Sequence, residues 1–312
     1  MAPEPSDNLK RSRRLPAWLK RPLPTGGLAA TTRRVVQSSG VATVCQEARC
    51  PNLGECWSHR TATFMILGDR CTRRCHFCAV ETARPAPPEP DEPQRLADAA
   101  AELGLKHVVI TSVARDDLPD EGAGHFAACI RAVRDRLPSA VIEVLPADFH
   151  ARPECIATVC AAEPDIFNHN LETVERLTPV IRPQAKYRRS LETLRLAGQN
   201  RPGLPIKSGL MVGLGETTEE IEQALADLRS VSCSLLTIGQ YLQPSPRQSP
   251  VARFYTPEEF KQLKGLAEQM GFSAVASGPF VRSSYQADRL FTEGVTPPRT
   301  VLGHAVVNAE RR

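Results

Sequence analysis

Residues 63–78 read TFMILGDRCTRRCHFC: a short apolar run rich in branched residues, then Cys71, Cys75 and Cys78 spaced C-x₃-C-x₂-C, with Phe77 before the last. A four-iron cluster usually takes four cysteines. Three thiolates holding such a cluster would leave one iron open to an external ligand, which suits chemistry better than electron storage. A second triplet, Cys45, Cys50 and Cys56, lies upstream with C-x₄-C-x₅-C spacing. Two blander readings stand beside this one. Structural zinc prefers two close pairs, a form neither triplet has, although His59 and His76 are available to complete a shell. Disulfides need an oxidising compartment, and no apolar signal segment opens the chain. The remaining cysteines, Cys129, Cys155, Cys160 and Cys233, are scattered and read as buried small hydrophobes.

Outward from this stretch, apolar runs recur at 63–67, 107–111, 141–145, 165–168, 206–212 and 233–238. Each is short and continuous, as expected of buried parallel strands. Helical patterns at 93–105, 124–137, 153–162, 188–199 and 217–229 separate them. This α/β alternation predicts a partial (β/α)₆ barrel and not a doubly wound sheet, since no Gly-x-Gly-x-x-Gly follows any strand. A further helix over 257–270 and a short strand over 274–276 lead into a polar tail. Barrels place their sites at the C-terminal strand ends. There the chain sets Ser112, Glu143, Asn170, Gly213, Gly215 and Gln240, which are the candidates for binding a cofactor.

The whole chain has 312 residues, 24% charged residues and a net charge of +4, a mild balance that makes no case for nucleic acid. Aromatics at 5% make a base-stacking surface improbable. No apolar run is long enough to span a membrane, so a cytoplasmic location is expected. Residues 1–26 mix Lys10, Arg11, Arg13, Arg14, Lys20 and Arg21 with five prolines, a flexible basic arm that Trp18 and Leu19 could anchor.

The first triplet at a strand end resembles the radical S-adenosylmethionine (SAM) superfamily. The upstream triplet, the run Ala48-Arg49-Cys50-Pro51-Asn52, Arg115-Asp116-Asp117-Leu118, the stretches 167–173 and 207–216, and Arg282-Ser283-Ser284-Tyr285 resemble the lipoyl synthase family within it. The resemblance implies two 4Fe–4S clusters. One, on Cys71, Cys75 and Cys78, binds S-adenosyl-L-methionine and cleaves it reductively to a 5′-deoxyadenosyl radical. That radical removes hydrogen at C6 and C8 of an octanoyl chain amide-linked to a carrier-protein lysine. The second cluster, on Cys45, Cys50 and Cys56 with Ser284 as fourth ligand, donates the sulfur. Implied partners are octanoylated carriers (2-oxoacid dehydrogenase E2 domains, the glycine cleavage H protein), an electron donor such as flavodoxin or ferredoxin, and an iron–sulfur carrier. The implied organisation is an auxiliary-cluster extension over 27–61, the barrel over 62–272, and a tail over 273–312 closing on the auxiliary cluster. Tyr187-Arg188-Arg189-Ser190 resembles a segment near the substrate channel. Two departures from the family pattern stand out: Gln286 follows Tyr285 in place of histidine, and the third strand exits through Pro146-Ala147-Asp148-Phe149-His150. Rival readings are a biotin-synthase-like or methylthio-transferring enzyme, a two-cluster electron carrier, and a zinc-stabilised module.

Overall fold

The computed structural model describes residues 15–20 and 27–295. Most of the expected 1–26 arm, and 296–312 of the expected tail, lie outside the described residues. Helix α1 (Gly27–Ser39), strand β1 (Ala42–Thr43) and the short helices α2 (Val44–Glu47) and α3 (Leu53–Ser58) precede β2 (Thr63–Ile66). A small ladder, β3 (Arg70–Cys71) with β4 (Glu81–Thr82), comes next. Helices and strands then alternate: α4 (Glu92–Glu102), β5 (His107–Ser112), α5 (Ala123–Arg136), β6 (Val141–Leu145), α6 (Pro153–Cys160), β7 (Ile166–Asn168), α7 (Thr178–Ile181), α8 (Tyr187–Asn200), β8 (Ile206–Val212), α9 (Thr218–Ser230), β9 (Leu235–Gln240), α10 (Pro257–Gln269), β10 (Ala274–Gly278) and α11 (Ala287–Val295).

The main sheet runs β1-β2-β5-β6-β7-β8-β9-β10. Only β1 is antiparallel to its neighbour; the six expected strands follow one another in parallel register. Strand β10 adds a seventh, pairing Ala274–Gly278 with Leu235–Gly239. The sheet is therefore a partial barrel, with its two edges unpaired among the described residues. Elements form where local chemistry directs them. Capping boxes, Thr217 with Glu220 and Thr256 with Glu259, start α9 and α10. Strand β9 begins two residues later than its apolar run because the Cys233 N–H still closes α9 on the Leu228 carbonyl. The outer helices bury Leu96, Phe126, Ile156, Leu194, Leu225 and Phe260 against the sheet. Cys129, Cys155, Cys160 and Cys233 are buried in the same core.

The lower end of the barrel is sealed by α11, whose Leu290 and Phe291 pack on Val141, Ile166, Leu235 and Ala274. Above them lies a buried polar layer in which the Lys207 ammonium donates to both Glu143 oxygens, at 2.7 and 2.9 Å. Between β10 and α11 the chain passes across the inner face of the sheet. A Cβ on Gly239 would stand 2.1 Å from the Val281 carbonyl, and one on Gly209 would stand 3.1 Å from Ser283 Oγ. Two glycines thus open the space that lets the C-terminal segment enter. At the other end of the chain Leu19 is buried and the Trp18 indole N–H donates to the Tyr255 carbonyl. No helix among the described residues is long and apolar enough to cross a membrane.

Candidate active site

The first triplet occupies a loop closed by the β3–β4 ladder and laced to the sheet. Cys71 Sγ accepts the N–H groups of Arg73 (3.4 Å) and Ala114 (3.3 Å), the latter just beyond β5. Arg73, buried between Cys71 and Cys75, grips Asp116 through two nitrogens and reaches Asp148 at 2.8 Å. Asp148 is itself fully buried and also accepts from Arg189 at 2.7 Å. Burial works against the Asp148 charge, yet Arg73, His169 and Arg189 outweigh it and hold the carboxyl far below the usual range. The turn that aims Asp148 is unusual: Phe149, His150 and Ala151 all have positive φ, an arrangement of non-glycine residues that stores strain. Further along the loop, the His76 N–H donates to the Ile181 carbonyl, and its own carbonyl accepts from Ser249 N–H.

The second triplet sits on α2, the turn after it, and α3. The Cys50 N–H bonds to the Cys45 carbonyl and the Cys56 N–H to that of Asn52. The C-terminal segment is tied directly onto this unit. The Asn52 amide donates to the Phe280 carbonyl (2.6 Å), and the Tyr285 hydroxyl donates to Glu55 (2.7 Å). Ser284 lies between those two ties.

Both triplets and Ser284 line one cavity of about 540 Å³, with Ser112 and Asn170 also in its wall. Its apolar lining includes Val44, Met65, Val113, Leu145 and Met211. The donor set fits two iron–sulfur clusters on three observations. Soft thiolates are the usual cluster ligands. Three buried polar atoms of residues lining the cavity, Asn52 Oδ1, Asn170 Oδ1 and Arg182 Nε, lack hydrogen-bond partners and stand ready for a bound group. Among the described residues, the metal-ligand group whose atoms all lie within 4.8 Å is Asp116, Glu121 and His150, not either triplet. A single tetrahedral zinc would draw its sulfurs to about 3.8 Å apart. Without metal, burial pushes the Cys78 thiol up to about 12 and also raises Cys45 and Cys75, the last opposed by Arg182. Ligation must therefore displace those protons.

Four expected cofactor contacts are placed elsewhere. Glu143 sits beneath the cavity, fully buried and engaged by Lys207, His107 (3.2 Å) and Asn168 (2.9 Å). Gln240 is also fully buried: its amide donates to the Val212, Tyr241 and Arg253 carbonyls, and its oxygen accepts from the Tyr255 N–H. Gly213, at φ 105°, makes room for that amide, because a Cβ there would lie 2.2 Å from Gln240 Nε2. Gly215 does not line the cavity, and its φ of 106° serves the turn into α9. Asn170 does line it, but its amide nitrogen is committed to Ser283 (2.5 Å) and Glu172 (3.0 Å). The sequence reading missed Arg182, a buried cation in the wall that donates to the Asn170 and Leu171 carbonyls. It also missed Arg73. A basic residue inside a cysteine triplet was the available signal for Arg73; for Arg182 there was none.

The model of the Radical SAM superfamily matches residues 65–228. Among solved structures, methylornithine synthase superposes with a TM-score of 0.55 at 15% identity, covering 68% of this chain and 62% of that one. The chain thus spans under two thirds of that protein's length. HydG, a maturase of the FeFe-hydrogenase, gives 0.55 at 14% identity, covering 86% and 67%. Likenesses this remote speak for the fold alone. The chain belongs to the radical SAM superfamily. Much nearer relatives are the lipoyl synthases of Rubrobacter xylanophilus, 56% identical over 87% of this chain and 85% of its own, and Methylococcus capsulatus, 54% over 88% and 86%. The lipoyl synthase of Thermus thermophilus is 51% identical over 93% and 89%. Within the superfamily, the chain belongs to the lipoyl synthase family.

Proposed function

We propose that this enzyme inserts two sulfur atoms, at C6 and C8, into an octanoyl group held in amide linkage on a lysine of a carrier protein. The observation that carries the site assignment is the convergence of both triplets and Ser284 on a single, largely apolar cavity. When bound, two 4Fe–4S clusters and S-adenosyl-L-methionine supply the electron, the hydrogen-abstracting radical and the sulfur. Cys71, Cys75 and Cys78 are the residues for the cluster that meets SAM. Cys45, Cys50, Cys56 and Ser284 are those for the auxiliary cluster. The chain's own part is to hold these groups, to orient the alkyl chain along the apolar wall, and to keep water out. Ser112, Asn170 and Arg182 are the polar contacts for SAM. Residues 27–61 and 273–295 act together as the auxiliary-cluster unit on the 62–272 barrel. A flavodoxin or ferredoxin as reductant, an iron–sulfur carrier for rebuilding the sulfur source, and a cytoplasmic setting complete the reading.

The test is anaerobic: reconstituted enzyme, SAM, a strong reductant and an octanoyl-lysine peptide, with the peptide followed by mass spectrometry. Two sulfur atoms gained, with 5′-deoxyadenosine formed, is the expected result. Deoxyadenosine with no sulfur on the peptide would instead favour a different radical enzyme. Ser284 offers a sharper check. An oxygen ligand is harder than sulfur, so Ser284→Cys should leave SAM cleavage intact and slow sulfur transfer. Unchanged sulfur transfer in that variant would remove Ser284 from the ligand set.

A further inference from the structure

The cavity reaches the surface where Arg49, Pro51 and Gln243 are exposed among its lining. Three segments that contribute to its wall, 71–78, 180–186 and 243–250, hold five Lys or Arg and no Asp or Glu. Arg73 and Arg182 of these are buried. Arg74, Lys186 and Arg247 are exposed, and none has an acidic partner at ion-pair distance among the described residues. Exposed arginines elsewhere are of both kinds: Arg176 is paired with Glu220 and Arg188 with Glu175, but Arg131 and Arg289 are in no ion pair among the described residues. What marks this rim is the grouping of three such cations beside one cavity.

The three segments form one fixed rim. Arg74 N–H donates to Gln184 Oε1 (3.1 Å), His76 N–H to the Ile181 carbonyl (2.8 Å), and the Gln248 amide to the Cys78 carbonyl (3.0 Å). Beside these cations Val180 is 62% exposed, an apolar side chain left facing solvent. Unpaired charges of one sign at the entrance of a cavity raise the local concentration of an oppositely charged partner. An apolar contact next to them gives that partner something to seat on.

We infer that this rim is a docking surface for an acidic carrier domain, with Lys186, Arg247 and Arg74 facing its carboxylates while its acylated lysine enters the cavity. The inference rests on the proposed reaction. Its test compares two acceptors: an octanoylated lipoyl-bearing domain of net negative charge, and a short uncharged octanoyl-lysine peptide. Lys186→Glu/Arg247→Glu should raise KM for the domain roughly tenfold or more, with kcat and the peptide's KM unchanged. For the wild type, raising salt to 1 M, where screening acts within about 3 Å, should raise KM for the domain alone. A domain KM indifferent to both charge reversal and salt would overturn the docking surface, and so would equal losses on both acceptors. Wild-type enzyme that places sulfur on neither acceptor overturns the reaction itself, a different result.

Discussion

Lys207 and Glu143 meet in the buried layer under the cavity, and breaking their pair has a cost that can be worked out in two ways. Burial alone would raise the Glu143 carboxyl, but the Lys207 ammonium and His107 more than offset this and hold it at about 2, against an ordinary 4.5. At about 1.4 kcal/mol per unit, that displacement corresponds to roughly 3 kcal/mol of native-state stabilisation. Independently, removing one partner of a buried ion pair costs about 3–5 kcal/mol, because the other charge is left stranded. Lys207→Met should therefore destabilise the protein by about 3 kcal/mol in urea unfolding of the anaerobic holoenzyme. The double variant Glu143→Gln/Lys207→Met should recover most of that loss. The pH dependence has a definite sign. A carboxyl depressed in the folded state stabilises above its unfolded value, so wild-type stability from this pair is lost as pH falls from about 4.5 to about 2. In the double variant that part of the acid sensitivity should vanish. A Lys207→Met cost below about 1 kcal/mol would refute the account. So would Glu143→Gln raising KM for SAM at unchanged stability, which would return Glu143 to the cofactor.

Gly239→Ala should push the Val281 carbonyl off the sheet, since the new methyl would lie 2.1 Å from it. The expected cost is about 1–3 kcal/mol, with faster limited proteolysis within 279–286; unchanged cleavage would disprove the close approach. Asp148→Asn leaves Arg73 and Arg189 short of a buried anion and should cost roughly 3 kcal/mol. Reconstituted Asp148→Asn should also hold less iron than wild type while Cys45, Cys50 and Cys56 still bind theirs, a difference that metal analysis beside a Cys71→Ala variant would reveal.

The parallel strands and their helices were legible because each is specified locally. A run such as 206–212 has the branched apolar content of a buried strand, and Thr217 with Glu220 announces the helix after it. What escaped reading depends on partners far along the chain. Glu143 on an inward-facing strand position looks the same whether it meets a ligand or, as it does, a lysine 64 residues later. Gly239 and Gly209 carry no local sign that the chain returns across them. The positive φ values from Phe149 to Ala151 run against local preference, and only the buried grip of Asp148 on two arginines explains them. The two triplets stand out for the opposite reason: closely spaced cysteines carry their chemistry whatever the chain does between them, whereas Ser284, a serine like any other by residue type, was singled out by the family resemblance alone.

The two triplets differ in what holds them. The Cys71 loop is bonded into the sheet by Ala114 and, through Arg73, by Asp116 and Asp148. Displacing it would mean breaking buried charge contacts. The Cys45–Cys56 unit meets the C-terminal segment through the Asn52–Phe280 and Glu55–Tyr285 hydrogen bonds, spanning 228 and 230 residues. With Cys45 and Trp57 buried in the main core, the upstream unit is itself anchored, and what these long-range hydrogen bonds fix is the C-terminal segment that carries Ser284.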